Sequence, residues 1–248
     1  MLNNKVVIIT GGGSGIGFAA AQMFAAKGAH VLITGRRKEV LEEITASHPQ
    51  IKGFVADASN PESAALTVAA AIKRWGRLDI LVNNAGAGVI MPLEQVNAQS
   101  ISDVFAVNVT GPTLLASAAI PHLEKTKGLI INMSSTFGSK AGANLSLYGS
   151  SKAAMEYMTR AWALELAPKG IRVNAIASGP VETPFLRDRM GLTEEQIEAV
   201  KEHERQSIPL GRRGEPKDVA AWIVNLANPD MSWVTGQVIG VDGGLVIT

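Results

Sequence analysis

A short apolar run, Val6-Val7-Ile8-Ile9, leads directly into Thr10-Gly-Gly-Gly-Ser-Gly-Ile-Gly17, and Ile16, Ala20, Met23 and Phe24 follow at helical spacing. That order is a buried strand, a glycine turn and an amphipathic helix. Gly11 permits a tight turn, Gly15 lets the backbone come close to a bound group, and Gly17 lets the helix pack closely on the strand. Ser14 and Ile16 lie inside the same turn. The first helical N–H groups are left free there and carry a partial positive charge, so this turn suits a pyrophosphate.

The same alternation continues down the chain. Val31-Leu32-Ile33, Gly53-Phe54-Val55, Asp79 to Val82, Leu129 to Asn132, Arg172 to Ile176 and Gln237 to Val241 read as strands. Longer amphipathic stretches separate them, including one from Ser100 to Leu123 that Gly111-Pro112 should bend or interrupt. Strands buried on both faces and joined by helices form a parallel sheet with right-handed crossovers. The expected fold is therefore α/β: a doubly wound Rossmann-type parallel sheet of about seven strands with helices on both faces. Its ligands are expected at the carboxyl ends of the strands, near the topological switch point. The 248 residues show no linker, repeat or low-complexity segment, so one domain over 1–248 is expected.

Composition narrows the function. A net charge of +1 gives no footprint for nucleic acid. The absence of cysteine removes disulfides, thiolate metal sites and cysteine nucleophiles, and fits a reducing compartment. His30, His48, His122 and His203 are scattered without metal-ligand spacing. No apolar run reads as a membrane span, and a strand that begins almost at once leaves no room for a signal peptide. A soluble cytoplasmic protein is expected.

The second strand ends at Thr34-Gly35-Arg36-Arg37. An acidic residue there would bind a ribose 2′-hydroxyl and repel a 2′-phosphate. The chain offers Gly35 and then Arg36, and a guanidinium fits a phosphate well. NADP(H) is therefore the expected cofactor, with NAD(H) as the alternative. Arg37 either shares the task or points into water. Asp57 could accept from an adenine amino group or serve as a turn aspartate. Asn83-Asn84-Ala85-Gly86 closes the fourth strand and suits a hydrogen-bonded turn beneath the cofactor.

Tyr148-Gly-Ser-Ser-Lys152 supplies the chemistry. Residues four apart share a helix face. An ammonium beside a phenol favours the phenolate and brings a tyrosine toward the working range. Alone the spacing is a weak signal. Ser135, thirteen residues earlier at the end of the fifth strand, strengthens it.

Together these residues resemble the classical short-chain dehydrogenases/reductases. The likeness runs through Thr10–Gly17, Asp57, Asn83–Gly86, Asn108, Ser135, Tyr148, Lys152, Asn174 to Thr183, and the glycine-rich stretch Thr235 to Gly244. It implies a hydride transfer between nicotinamide and a ketone or secondary alcohol. Tyr148 would be the general acid or base, and Ser135 would hold the substrate oxygen. Lys152 would lower the tyrosine pKa and bind the nicotinamide ribose. Asn108 would hold a water that relays protons to Lys152, and Thr183, near Gly179, would touch the carboxamide. One departure is visible: where the family carries Pro-Gly, this chain has Ser178-Gly179-Pro180.

Substrate choice is expected to rest on Gly88 to Leu93, Thr136 to Leu147 and a charged substrate-loop segment, 184–210. Val89, Ile90, Met91, Phe137, Leu145, Leu147, Phe185 and Met190 are candidate pocket residues. Ketones and β-oxoacyl esters both fit. An unusually apolar stretch from Trp233 to Thr248 suggests a covered surface, and the resemblance implies a homotetramer. A non-catalytic dinucleotide sensor, and a lyase or epimerase on the same scaffold, are the competing readings.

Overall fold

A computed structural model describes residues 2–248. Among these, seven strands form one parallel sheet: β1 (Val6–Thr10), β2 (His30–Gly35), β3 (Ile51–Val55), β4 (Ile80–Asn83), β5 (Leu129–Ser135), β6 (Arg172–Ser178) and β7 (Val238–Val241). Their spatial order is β3-β2-β1-β4-β5-β6-β7. The direction of winding reverses between β1 and β4, which makes a crevice at their carboxyl ends.

Alternation along each strand assigns the two faces. Val7, Ile9, Val31, Ile33, Val82 and Ile131 point into one core, with Phe24 of α1 (Gly15–Ala26) and Ile223 of α9 (Pro216–Leu226). Val6, Ile8, Leu32, Leu81, Ile130 and Val173 point into the other. There they meet Val68 of α3 (Glu62–Trp75), Leu123 of α5 (Gly111–Thr126) and Leu166 of α6 (Ser146–Leu166). Each large side chain buried this way contributes roughly 1.5–3 kcal/mol, so the two-sided sheet is the stable solution for these alternating runs. The shorter α2 (Lys38–Ser47) covers β2 and β3 with Leu41 and Ile44.

The stretch before β5 departs from expectation in an informative way. Helix α4 (Ala98–Phe105) does not break at Gly111-Pro112. It passes through a π-helical turn, Ala106–Thr110, into α5, whose first turn takes Pro112. Proline is tolerated there because the π turn just before it shifts the backbone pairing that its missing N–H and its ring would disrupt in a regular helix. A Cβ on Gly111 would strike the Ala58 carbonyl, so glycine fits the close approach. The π turn carries Asn108 inward. By length and composition, Ala98–Thr126 is also long and apolar enough to cross a bilayer, which the sequence reading had not counted. It lies along the sheet, with Leu115, Ala116, Ala119 and Leu123 in the core.

A buried carboxylate ties the start of β1 to the start of β4. Asp79 accepts from Lys5 Nζ at 2.9 Å, the Val6 amide at 2.9 Å, and Arg77 Nε and Nη2 at 2.8 and 2.7 Å. Burial pushes its pKa up, but the Arg77, Val6 and Lys5 contacts win and hold it below the ordinary range. A depressed carboxylate stabilises the fold fully above its unfolded value near ~3.9 and loses that contribution as pH falls through the folded value. Asp79→Asn should cost about 2–3 kcal/mol at neutral pH. The loss should shrink in acid, as read by denaturant unfolding at several pH values. An unchanged acid limb would contradict the assignment.

Candidate active site

The carboxyl ends of the strands open into one continuous cleft of about 930 Å³. Arg36 and Arg37 line one end, Gly11, Ser14, Gly15 and Ile16 the middle, and Ser135, Tyr148 and Lys152 the other. Ala85, Gly86, Gly179 and Thr183 line it as well.

The glycine turn is built to admit a close ligand. Gly11 and Gly15 have φ of +64° and +53°, in the left-handed region where a side chain is strained. A Cβ on Gly15 would come within 2.9 Å of the Thr183 methyl, and one on Gly17 within 2.6 Å of the Gly11 carbonyl. Ser14 caps α1 in extended conformation, and its side chain makes no capping bond. Asn84 secures the turn from below. Its Nδ2 donates to the Thr10 and Gly11 carbonyls at 2.8 and 3.2 Å, and Thr10 Oγ1 accepts from the amides of Asn84 and Ala85. A bare helix N-terminus beside crowded glycines, opening into a long cleft, fits a dinucleotide pyrophosphate.

At the far end, α6 presents Tyr148 and Lys152 on one face. Lys152 is buried, and its Nζ donates to the Met133 carbonyl at 2.9 Å and lies 5.7 Å from the Tyr148 ring centroid. Tyr148 is half-buried, with the Ser135 hydroxyl near enough to favour its phenolate. Phe185 stands 6.2 Å from its ring, and a Cβ on Gly88 would touch both Tyr148 and Met190. Gly86 packs beneath Lys152 and Asn108: a Cβ there would lie 3.7 Å from Lys152 Nζ and from Asn108 Oδ1.

The electrostatics of the pair differ from the sequence expectation. Burial pulls the Lys152 ammonium down to about 8. Burial also pushes the Tyr148 phenol up, opposed by the Ser135 hydroxyl. Desolvation outweighs the Ser135 contact, and the phenol stays protonated at neutral pH. A protonated phenol beside a hydroxyl and an ammonium can give a proton to an oxygen in the cleft.

Asp57 takes the turn role among its two sequence readings, and Asn108 makes contacts that the sequence did not show. Asp57 does not line the main cleft. Its Oδ1 accepts from the Ser59 amide and hydroxyl at 2.9 and 2.8 Å, as a turn aspartate does. The side chain of Asn108 is fully engaged: Nδ2 donates to the Ala87 carbonyl and Ser151 Oγ at 2.8 and 2.9 Å, and Oδ1 accepts from the Ala87 amide at 2.8 Å. It clamps the loop after β4 onto α6, so a relay water would have to use its backbone.

Of the apolar candidates, Ile90, Phe137, Leu145, Phe185 and Met190 line the cleft; Val89, Met91 and Leu147 do not. The segment after β6 folds into α7 (Phe185–Asp188) and α8 (Glu194–Ser207). Sequence reasoning missed what anchors α8. Arg213 is buried between Glu182 and Glu204 and donates to the Val181 carbonyl at 2.7 Å. The signal available was Glu204 on the inner side of this segment, which needs a cation once the segment packs down. Glycine at 179 has a steric cause: its Cβ would fall 2.6 Å from Asp242 Cα, and Pro180 is accommodated one place later.

Comparison with known proteins agrees with this architecture. A family described as Enoyl-(Acyl carrier protein) reductase matches residues 11–246. The chain is 38% identical over 251 residues to 3-oxoacyl-[acyl-carrier-protein] reductase FabG of Thermotoga maritima, covering 99% of each protein. The crystal structure of 3-ketoacyl-(acyl-carrier-protein) reductase from Brucella melitensis complexed with NADH superimposes with a TM-score of 0.92 at 34% identity. That match covers 99% of this chain and 100% of the other. A short-chain dehydrogenase/reductase of unknown function from Caenorhabditis elegans, solved with cofactor, gives 0.92 at 33% identity over 100% and 97%.

Proposed function

Because the chain belongs to the short-chain dehydrogenase/reductase family and is an NAD(P)-linked oxidoreductase, we propose that it reduces a ketone or β-oxoacyl ester to the secondary alcohol with NADP(H). The observation that carries this reading is the single cleft whose walls include Arg36 after β2, Gly15 after β1, and Ser135 of β5 with Tyr148 and Lys152 of α6.

The cofactor, when bound, supplies or accepts the hydride. The chain does the rest. The α1 N-terminus and Gly11 to Gly17 bind the pyrophosphate, and Arg36 takes the 2′-phosphate. Ser135 holds the substrate oxygen beside Tyr148. Tyr148 gives its Oη proton to that oxygen during reduction and takes it back during oxidation. Lys152, fixed by the Met133 carbonyl, stabilises the phenolate left behind. Thr183 and Gly179 border the same stretch of cleft and orient the carboxamide end. Ile90, Phe137, Leu145, Phe185 and Met190 supply apolar walls that exclude water and favour an apolar carbonyl compound.

The reading extends to organisation. One catalytic domain spans 1–248, with 184–210 as its substrate segment. Exposed Leu164 and Trp233 support assembly as a homotetramer, and the cysteine-free composition supports a cytoplasmic setting.

A panel of ketones and β-oxoesters tests the activity, with NADPH and NADH followed by loss of the reduced-nicotinamide absorbance. Carbonyl-dependent consumption of NADPH is expected. Product formation without consumption would point instead to a lyase or epimerase. A second cofactor reading, NAD(H), draws on Arg37, which pairs with Asp188 at 3.7 Å, and on the NADH in the Brucella relative. Arg36→Ala separates the two. NADPH binding should weaken about tenfold, the worth of one charge-assisted contact, with NADH little changed. Equal losses for both cofactors would favour NAD(H).

A further inference from the structure

The lid meets the cleft at both ends. Phe185 and Met190 stand beside Tyr148, as described above. Between them in sequence, Asp188 and Arg189 line the opposite end of the cleft with Arg36 and Arg37. Arg37 Nη1 and Asp188 Oδ2 are 3.7 Å apart, and both side chains are partly exposed. A pair that long and that exposed is weak, so Asp188 releases Arg37 readily to a stronger anion.

We propose that Arg189 is the lid's half of a split site for the cofactor's 2′-phosphate, with Arg36 and Arg37 as the scaffold's half, so that the phosphate draws the lid shut. This inference rests on the NADP(H) reading. Arg36, Arg37 and Arg189 come from two separate elements and line the same cleft, with Asp188 beside Arg37. Burial presses Arg189 below the ordinary arginine range, and its like-charged neighbours Arg36 and Arg37 add to that, against Asp188 and Asp57. A phosphate dianion relieves this crowding, because its oxygens can accept from several guanidinium forks at once. A 2′-hydroxyl can accept only a hydrogen bond and relieves little of it. Arg36 and Arg37 belong to the β2–α2 connection and are fixed by the sheet. Arg189 belongs to the lid, one residue before Met190. Holding Arg189 on the phosphate therefore also seats Met190 and Phe185 against the tyrosine end. The 2′-phosphate should thus improve carbonyl binding as well as cofactor binding.

The test uses 2′,5′-ADP and 5′-AMP as probes on the full chain, with affinity from calorimetry and lid order from amide exchange over residues 185–207. In the unaltered protein, 2′,5′-ADP should bind more tightly and slow exchange across the lid, whereas 5′-AMP should not. Arg189→Gln should weaken 2′,5′-ADP about tenfold, leave 5′-AMP unchanged and abolish the lid protection. Asp188→Asn should tighten 2′,5′-ADP by about threefold, since it removes the competitor for Arg37. A gain of affinity is an outcome that misfolding cannot mimic. If 2′,5′-ADP shows no advantage in the unaltered protein, the NADP(H) reading fails and the split site with it. If the advantage is present and Arg36→Ala removes it, but Arg189→Gln keeps full affinity and lid protection, only the split site is overturned.

Discussion

Replacing Tyr148 with phenylalanine should lower carbonyl reduction by about 10³-fold, within the span of a lost general acid, while NADPH affinity stays within about twofold of the original, well under one contact's worth. The substitution removes one oxygen from a half-buried ring and leaves its packing against Phe185 and Gly88 in place. It also removes the hydroxyl beside Ser135, whose own hydroxyl keeps a local role through the Phe137 amide at 3.3 Å. The fold should therefore survive and the loss should fall on kcat. Steady-state kinetics with a reactive ketone, beside a cofactor titration, separates the two quantities. If turnover persists at a tenth of the original rate or better, the proton comes from elsewhere.

Lys152→Met should be nearly as damaging and more revealing. A loss of about 10²-fold or more in kcat/KM is expected from removing a charge that stabilises the phenolate. The cofactor KM should rise too, because the same ammonium is assigned to the ribose. The pH profile carries the sharper signature. Burial brings Lys152 down to about 8 and moves Tyr148 upward. The two groups sit one helical turn apart on α6. Reduction needs the fully protonated pair, so kcat/KM should be level below the lysine value and decline as pH rises through it. In Lys152→Met only the upward-shifted phenol remains, and the declining limb should move to higher pH. A limb that stays in place would mean that another group sets it.

The fold was legible because the strands are buried on both faces. Apolar runs such as Val6 to Ile9 and Leu129 to Ile131 alternate between the two cores and leave little ambiguity of type. The glycine turn was legible because its backbone demands are local. What escaped were effects that depend on contacts distant in sequence. The proline at 112 signalled a break, yet the chain absorbed the irregularity in a π turn just before it. Asn108 is an evident polar residue in a helix, but its clamp on Ala87 and Ser151 requires knowing that the loop after β4 passes beside α6. Asp57 and Ser59 are two residues apart, so the turn role was local enough to stand among the sequence readings of Asp57. The upward shift of Tyr148 could not be read from a four-residue spacing, because spacing reports proximity and says nothing about desolvation. Arg189 lay in a segment read as a charged substrate loop, which said nothing of its neighbours across the cleft. Only the folded lid brings it to Arg36 and Arg37.

The whole account requires that the phenol of Tyr148 and the hydride donor act on one carbonyl carbon–oxygen pair within a single cleft. Single-turnover reduction of a ketone with deuterated NADPH tests this most directly, with the product analysed for label. Deuterium should appear on the carbinol carbon with the unaltered protein, on one face only, and label transfer by Tyr148→Phe should be slowed about 10³-fold with cofactor still bound. Label transfer at an undiminished rate in that variant, or saturating NADPH that never delivers deuterium to any carbonyl tried, would contradict it.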